Sequence, residues 1–258
     1  MFDGITVHSL IKNECRWIWY SLMSVIDNPD IKEIMVYDTG STDETVDIVK
    51  SIDSTKIKLK EVGDVSAEDF SKLRHEMMEK TKTQWLMILD GDEIWRKKDL
   101  AVVIDRIKEA PENVVASLVH YMEFVKDIYH YFMGHEQQIY PYNIKKTYGW
   151  YTIRFHKKVK GLYCGNSYGL EGWFIDKKEV QASGYSNLIW NDDIYYFHTR
   201  NLLRSKTEDY ENKVMQRVEK KISHKVGKIP RVYRNIEMYY PETFYMKHPT
   251  IVPNILWG

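Results

Sequence analysis

The first third of the chain alternates short apolar runs with amphipathic segments. Apolar runs without internal turn residues are typical of strands buried on both faces, and apolar positions three and four apart are typical of helices. The pattern predicts strands over 4–11, 33–38, 56–62 and 84–89, the third being the weakest. Between them it predicts helices over 17–25, over about 42–52, and around Phe70, Leu73, Met77 and Met78. This order predicts an α/β fold with parallel strands side by side.

Local signals mark the starts of two of these helices. Ser41 followed by Glu44 fits a capping box, in which each side chain bonds to a backbone N–H group at the start of the helix. Ser66 followed by Asp69 is a second candidate cap. We therefore expect both helices to begin close to these serines.

The alternation weakens after residue 92. We interpret the second half as antiparallel strands and loops that cover a cleft. The pattern predicts a helix over 100–108, a strand over 113–121, an irregular aromatic stretch over 122–150, a hairpin of 151–158 with 160–168, a last strand at 194–197 and a basic helix over 202–224.

Composition narrows the classes of partner and compartment. Lys plus Arg and Asp plus Glu number 37 each, so no overall charge favours nucleic acid. Cys15 and Cys164 form neither a disulfide framework nor a zinc cluster, which fits a reducing compartment, with the cytosol as default. We expect no signal peptide and no membrane-spanning segment. Residues 200–234 carry eleven Lys or Arg against four Asp or Glu. The predicted basic helix over 202–224 would suit contact with an anionic acceptor or a charged membrane face.

Acidic residues follow two of the predicted strands. Asp38 ends one strand, and Asp90 and Asp92 follow another. If these strands are neighbours, their carboxylates meet at the rim where open α/β sheets hold ligands. Crowded carboxylates are electrostatically costly, and a divalent cation would relieve the repulsion while binding a phosphate. The alternative is that these acids only build turns and helix caps.

Several segments together resemble family 2 glycosyltransferases of the GT-A fold, with a pattern similar to bacterial lipopolysaccharide-core glucosyltransferases. They are Lys12-Asn13-Glu14 and residues 34–45, 69–74 and 85–93, the last containing the DXD-like Asp90-Gly91-Asp92. The resemblance implies a mixed sheet flanked by helices, a helical C-terminal extension, and a nucleotide-sugar donor, commonly a UDP-sugar. It also implies Mn²⁺ or Mg²⁺ on the donor diphosphate.

The resemblance also implies roles for residues of the first half. Lys12 would line the nucleotide and Asp38 would contact the nucleoside. Arg74 would reach the base or the diphosphate. Asp90 would meet the ribose or the metal, and Asp92 would be a direct metal ligand.

On the acceptor side, the reaction needs a carboxylate that takes the proton of the acceptor hydroxyl. Glu171 resembles the glutamate of the family's His-Glu pair, with a leucine in place of the histidine. Asp176, Asp192 and Asp193 are the alternatives. His198 resembles a histidine that completes the metal shell in several GT-A enzymes, and imidazole with carboxylate oxygens favours Mn²⁺.

These observations predict a metal-dependent, inverting glycosyltransferase that acts on a hydroxyl of a carbohydrate or glycan. The expected division is a catalytic domain over 1–200, with a nucleotide-sugar half (1–95) and an acceptor half (96–200), followed by an extension over 201–258. An inactive sugar-nucleotide-binding module and a nucleotidyltransferase on a related fold remain alternatives.

Overall fold

The first 95 residues form a parallel sheet with connecting helices. In this computed structural model, residues 2–125, 127–132, 150–166, 172–180, 187–205 and 232–234 are described. The strands are β1 (Ile5–Ile11), β2 (Ile31–Asp38), β3 (Ile57–Glu61) and β4 (Trp85–Ile88). The helices are α1 (Ile18–Val25), α2 (Thr45–Lys50) and α3 (Phe70–Lys80). β1 pairs in parallel with both β2 and β4, and β2 pairs in parallel with β3.

The second half extends the same sheet mostly with antiparallel pairs, but β12 runs parallel to β6, which the sequence pattern did not predict. Its elements are β5 (Glu93–Ile94), α4 (Lys97–Lys108), β6 (Ala116–Val125), β7 (Asp127–Phe132), β8 (Trp150–Lys157), β9 (Leu162–Gly165), β10 (Gly172–Ile175), β11 (Lys178–Glu179), β12 (Leu188–Asn201) and β13 (Val232–Arg234). The main sheet has the order β13-β7-β6-β8-β4-β1-β2-β3, and β12 pairs with β5 and β6. β9, β10 and β11 form a separate small sheet. The predicted mixed α/β sheet with flanking helices is confirmed.

The two faces of the sheet pack against different elements. Ile5, Val7 and Ile11 of β1 belong to a large apolar cluster that includes α1 and α4. On the other face, Leu10 packs with residues of α3 in a smaller cluster. Since β1 has a strand on each side and apolar layers on both faces, all its residues are buried. β1 is therefore the rigid centre of the sheet.

Both predicted helix caps are wrong in detail. α2 begins at Thr45, whose N–H donates to Oδ1 of Asp43 at 3.0 Å. Ser41 instead donates its hydroxyl hydrogen to the carboxylate of Asp38. Ser66 and Asp69 bond to each other just before α3, and Asp69 makes no capping bond through its side chain. In both cases the polar side chain satisfies the preceding turn rather than the first turn of the helix.

The predicted hairpin of 151–158 with 160–168 is also wrong. β8 lies between β4 and β6, so both of its edges are already paired. The chain turns away at Gly161, which has a φ of +84°, and β9 then pairs with β10 instead.

Two strands are longer than predicted. β6 continues to Val125, into the stretch that we expected to be irregular. β12 covers 188–201 rather than 194–197 alone. Its pairing with β6 is interrupted between Asn191 and Tyr195, and this irregularity hides the two-residue alternation from a sequence pattern.

The predicted basic helix over 202–224 lies outside the described residues except for 202–205, and these four residues are not helical. In the part of the chain that is described, no helix has both the length and the apolar character needed to cross a membrane. The division into domains at 95 and 200 stays a prediction.

Candidate functional site

A cleft of about 950 Å³ opens at the carboxyl ends of β1 and β4. It extends between α3, β8 and the small sheet of β9 to β11, and the residues just after β12 close one side. Because β1, β2 and β4 are parallel neighbours, the acids that follow β2 and β4 lie at the same rim, as expected. The predicted site residues that line the cleft are Lys12, Arg74, Asp90, Asp92 and His198.

Asp38 belongs to this rim but is not among the residues that line the cleft. Its carboxylate is buried and accepts hydrogen bonds from the N–H groups of Gly40 (3.1 Å) and Ser41 (3.0 Å). The neighbouring Thr39 lines the cleft instead. In this state Asp38 holds the loop after β2 in shape, and its contact with a nucleoside stays a prediction.

Lys12 lies at the mouth of the cleft, where it forms an ion pair with Asp64. Its side chain is 46% exposed, and that of Asp64 is 85% exposed. Exposed pairs of this kind contribute little to stability, so an incoming anion could displace Asp64 at small cost.

Asp90 is held by two arginines. Nη2 of Arg74 donates to Oδ1 of Asp90 at 2.7 Å, and Nη2 of Arg154 lies 3.4 Å from Oδ2. Burial would raise the pKa of Asp90, but the two guanidinium groups outweigh it and lower the pKa below its usual range. The carboxylate therefore stays charged. Arg74 is itself buried, so it is no solvated residue on a helix surface.

Arg154 also pairs with Glu93, whose side chain is completely buried. Burial raises the pKa of Glu93 to about 7, although Arg154 opposes the shift. Nε of Arg154 donates to the hydroxyl of Tyr196 at 3.0 Å. Arg154 is not among the site residues that the sequence predicts. The available signal was a single charge within the aromatic run Trp150–Phe155, which is unusual for a strand unless the charge has a buried partner.

Asp92 contacts two side chains, one in β12 and one in the segment that follows it. Nη1 of Arg204 donates to Oδ2 of Asp92 at 3.0 Å, and Nε2 of His198 lies 3.4 Å from Oδ1. The N–H of Thr199 donates to the backbone carbonyl of Asp92 at 2.8 Å and so fixes the loop. Burial would raise the pKa of Asp92, yet His198 and Arg204 bring it far below its usual range.

Arg204 also donates to Oε1 of Glu14 at 2.7 Å through the same nitrogen. Burial raises the pKa of Glu14 well above its usual range despite this contact. The sequence indicated Glu14 only as part of a motif, and it gave no sign of Arg204, which is 190 positions away along the chain.

A steric constraint explains why the residue between the two aspartates is a glycine. A Cβ atom on Gly91 would lie 2.8 Å from Cγ and 3.1 Å from Cβ of Glu14. The side chain of Glu14 therefore packs directly on the backbone of the Asp90-Gly91-Asp92 loop. A larger residue would push apart the two segments that hold Arg204.

Asp92 and His198 are suited to share a divalent cation. Two donors at adjacent positions of a Mn²⁺ or Mg²⁺ site, with bonds of about 2.1 Å, would lie about 3 Å apart. The observed 3.4 Å is close to that separation. Within the described ranges, no group of three His, Cys, Asp or Glu side chains could hold a metal by itself. Such a site would need oxygens from a ligand, as Mg²⁺ sites often do.

The predicted general base, Glu171, lies outside the described residues. Gly172 and Trp173, which follow it directly, line the cleft. The alternatives Asp176, Asp192 and Asp193 are not among the cleft-lining residues, and the last two have other partners. Asp192 accepts a hydrogen bond from Tyr151 at 3.0 Å, and Asp193 pairs with both terminal nitrogens of Arg106 at 2.8 Å.

Comparisons with known proteins agree with this geometry. Two curated relatives, the SPbeta prophage-derived glycosyltransferase SunS of Bacillus subtilis (strain 168) and glycosyltransferase SunS of Bacillus phage SPbeta, are each 27% identical over 186 residues. The match covers 70% of this chain but only 40% of each relative. The chain thus spans less than half the length of these relatives.

A solved structure, S. aureus TarS 1-349 in complex with UDP-GlcNAc, matches with a TM-score of 0.53 and 16% identity. The match covers 85% of this chain and 66% of that chain, and at this identity it shows the fold alone. The family model described as "Glycosyl transferase family 2" matches residues 6–165. Since that match covers more than half of the sequence, the chain belongs to glycosyl transferase family 2.

Proposed function

We propose that this chain transfers a sugar from a nucleotide-diphospho-sugar to a hydroxyl group of a carbohydrate or glycan, with inversion at the sugar carbon. The observation that carries the proposal is the cluster of arginines and carboxylates at the carboxyl ends of β1 and β4, inside a cleft of about 950 Å³. A volume in the range of 300–1,000 Å³ is typical of small-molecule sites. The complex of TarS with UDP-GlcNAc supports UDP-sugars as the first donors to test.

The cations of the cleft suit the donor diphosphate. Lys12 and Arg204 line the cleft, and Arg204 contacts Asp92 of the Asp90-Gly91-Asp92 loop. Guanidinium groups bind phosphate oxygens in pairs, and the diphosphate gains negative charge as the sugar leaves. Positive charge at this place therefore stabilises the transition state more than the bound donor.

Asp92 and His198 would hold a Mn²⁺ or Mg²⁺ ion together with diphosphate oxygens. When bound, such an ion neutralises charge on the leaving diphosphate. Asp90, fixed between Arg74 and Arg154, would keep the loop in a single conformation next to the donor.

Glu171 would act from the opposite side of the sugar. As the acceptor oxygen bonds to the anomeric carbon and the bond from that carbon to the diphosphate breaks, the hydroxyl proton passes to the carboxylate. A single displacement of this kind inverts the anomeric configuration. Gly172 and Trp173, which follow Glu171 in the sequence, line the cleft.

The ion pairs favour one competing function. Since Asp90 and Asp92 already contact arginines, the cleft could bind a sugar nucleotide without metal and without turnover. Hydrolysis of the donor distinguishes the two functions, because an inactive binding module would bind the nucleotide sugar but release no free sugar.

The first experiment is calorimetry of UDP binding with and without Mn²⁺, for the wild type and for Asp92→Ala. We expect Mn²⁺ to strengthen UDP binding in the wild type and to have no effect in the variant. Asp193→Ala is a matched control, because it removes an aspartate whose side chain is 65% exposed and pairs with Arg106 outside the cleft. Equal Mn²⁺ dependence in Asp92→Ala would exclude the metal site. A panel of nucleotide sugars assayed for hydrolysis then tests turnover.

A further inference from the structure

The residues that follow β12 form a short segment, 202–205, that is tied across the start of the fold. The carbonyl of Leu203 accepts a hydrogen bond from Nε1 of Trp17 at 2.8 Å. The hydroxyl of Ser205 donates to Oδ2 of Asp43 at 2.6 Å. These contacts join the segment to the loops after β1 and β2, so its position depends on the same rim that forms the cleft.

The segment places Arg204 on the carboxylates of the candidate site. One nitrogen, Nη1, lies 2.7 Å from Oε1 of Glu14 and 3.0 Å from Oδ2 of Asp92. The side chain is 15% exposed, against 6% for Glu14 and 4% for Asp92. In this largely desolvated place the guanidinium group supplies the positive charge that buried Asp92 requires, and it also donates a hydrogen bond to Glu14.

The same position opposes a divalent cation. A cation shared by Asp92 and His198 would bind Oδ1 while Arg204 stays on Oδ2 of the same carboxylate. Two positive charges on one buried carboxylate repel each other strongly, because there is little water to screen them. Asp92 therefore binds either Arg204 or the dication, and binding both at once costs considerable free energy.

We propose that Arg204 couples the binding of the dication to the binding of the donor. Without nucleotide, Arg204 neutralises Asp92 and keeps the dication weakly bound. The diphosphate of the donor carries several negative charges beside Asp92 and attracts the guanidinium group to its own oxygens. Oδ2 of Asp92 then becomes available to the dication. This inference rests on the proposed function, because it takes a nucleoside diphosphate as the ligand of the cleft.

The coupling separates this role from a purely structural one. If Arg204 only held the fold together, its loss would lower the affinity for every ligand alike. In the proposed role, the loss of Arg204 raises the affinity for the dication alone and lowers the affinity for the nucleotide. By linkage, the factor by which UDP strengthens Mn²⁺ binding equals the factor by which Mn²⁺ strengthens UDP binding.

The experiment is calorimetry on the full chain with Mn²⁺ alone, UDP alone, and each in the presence of the other. Arg204→Gln removes the charge and keeps a polar side chain of similar shape. Arg200→Gln is the matched control, because Arg200 also lines the cleft but pairs with Glu123, at 3.3 Å. Ser205→Ala keeps the guanidinium group and removes one tether of the segment.

We expect Arg204→Gln to bind Mn²⁺ alone about ten-fold more tightly or better. The factor by which UDP strengthens Mn²⁺ binding should shrink by a similar amount. Arg200→Gln should change Mn²⁺ affinity far less. Ser205→Ala should tighten Mn²⁺ binding in the same direction by a smaller factor, and it serves as the deciding variant if Arg204→Gln does not fold.

Unchanged or weaker binding of Mn²⁺ alone in Arg204→Gln, or in Ser205→Ala if only that variant folds, would overturn the inference. Cooperative binding of Mn²⁺ and UDP in the wild type would then still support the proposed function. A wild type that binds neither UDP nor any nucleotide sugar, with or without Mn²⁺, would overturn the proposed function and the inference together. Circular dichroism and melting temperature confirm that each variant is folded.

Discussion

Two of the several arginine–carboxylate pairs in the described residues differ sharply in their burial. Arg154 and Glu93 have side chains that are 13% and 0% exposed. Arg106 and Asp193 form an equally direct pair, but their side chains are 34% and 65% exposed. The same chemical interaction can therefore be compared in the core and at the surface, which allows a prediction with an internal control.

Replacing Arg154 with Met keeps much of the side-chain volume but leaves Glu93 without its cation. Removal of one partner from a buried ion pair typically costs about 3–5 kcal/mol of unfolding free energy, because the remaining group either stays charged without water or has to take up a proton. Asp90 adds little to this cost, since Arg74 still pairs with it at 2.7 Å. We expect Arg154→Met to lose about 3–5 kcal/mol. Breaking a surface pair costs about 0–1 kcal/mol, so we expect at most that for Arg106→Met.

Urea unfolding followed by tryptophan fluorescence measures both variants. The double variant Arg154→Met with Glu93→Gln removes the unpaired charge, so it should be clearly more stable than the sum of the two single effects predicts. The corresponding double variant at Arg106 and Asp193 should be nearly additive. Equal losses for Arg154→Met and Arg106→Met would refute the reasoning that burial decides the contribution of these pairs.

Three further predictions concern catalysis, acid stability and the glycine of the acidic loop. Glu171→Gln should keep donor affinity and lower turnover by roughly 100-fold or more, and full activity would assign the base elsewhere. Burial lowers the pKa of His8 and of His156 to about 3, so both are neutral in the folded protein. The unfolded chain takes up these two protons below pH 6.5, so the unfolding free energy is highest above that pH and falls as the pH is lowered. At pH 5 each histidine should lower the unfolding free energy by about 2 kcal/mol. In His156→Phe the urea midpoint should therefore change less between pH 7 and pH 5, and an unchanged slope would contradict this. Gly91→Ala should cost about 1–3 kcal/mol through its clash with Glu14, and an unchanged urea midpoint would show that the loop can relax.

The sequence alone determined the α/β class and the places of the acids. Strand and helix periods are local properties, so they can be read from neighbouring positions without knowledge of the fold. Asp38 and Asp90 follow apolar strands directly, and a residue that follows a strand must lie near its carboxyl end. For this reason the rim could be predicted from sequence order once the strands were assumed to be parallel neighbours.

The tertiary structure alone decided which charges meet. Arg154 lies 61 positions from Glu93, and Arg204 lies 112 positions from Asp92. No period or motif links such residues, because their contact depends on which strands pair and where the chain crosses the cleft. The same reason explains the wrong hairpin prediction, since β8 had its two partners in β4 and β6 rather than in the next strand along the chain.

Competition between alternative local hydrogen bonds explains the wrong prediction for Ser41. Ser41 could have capped a helix or bonded to Asp38, and its sequence neighbours allowed both arrangements. Only the folded loop, with Gly40 at a φ of +88°, brings the hydroxyl to the carboxylate. Sequence periodicity therefore determines where strands and helices lie. The pairing of buried charges is determined only in the folded structure, because a desolvated carboxylate needs a cation and the fold decides which one lies next to it.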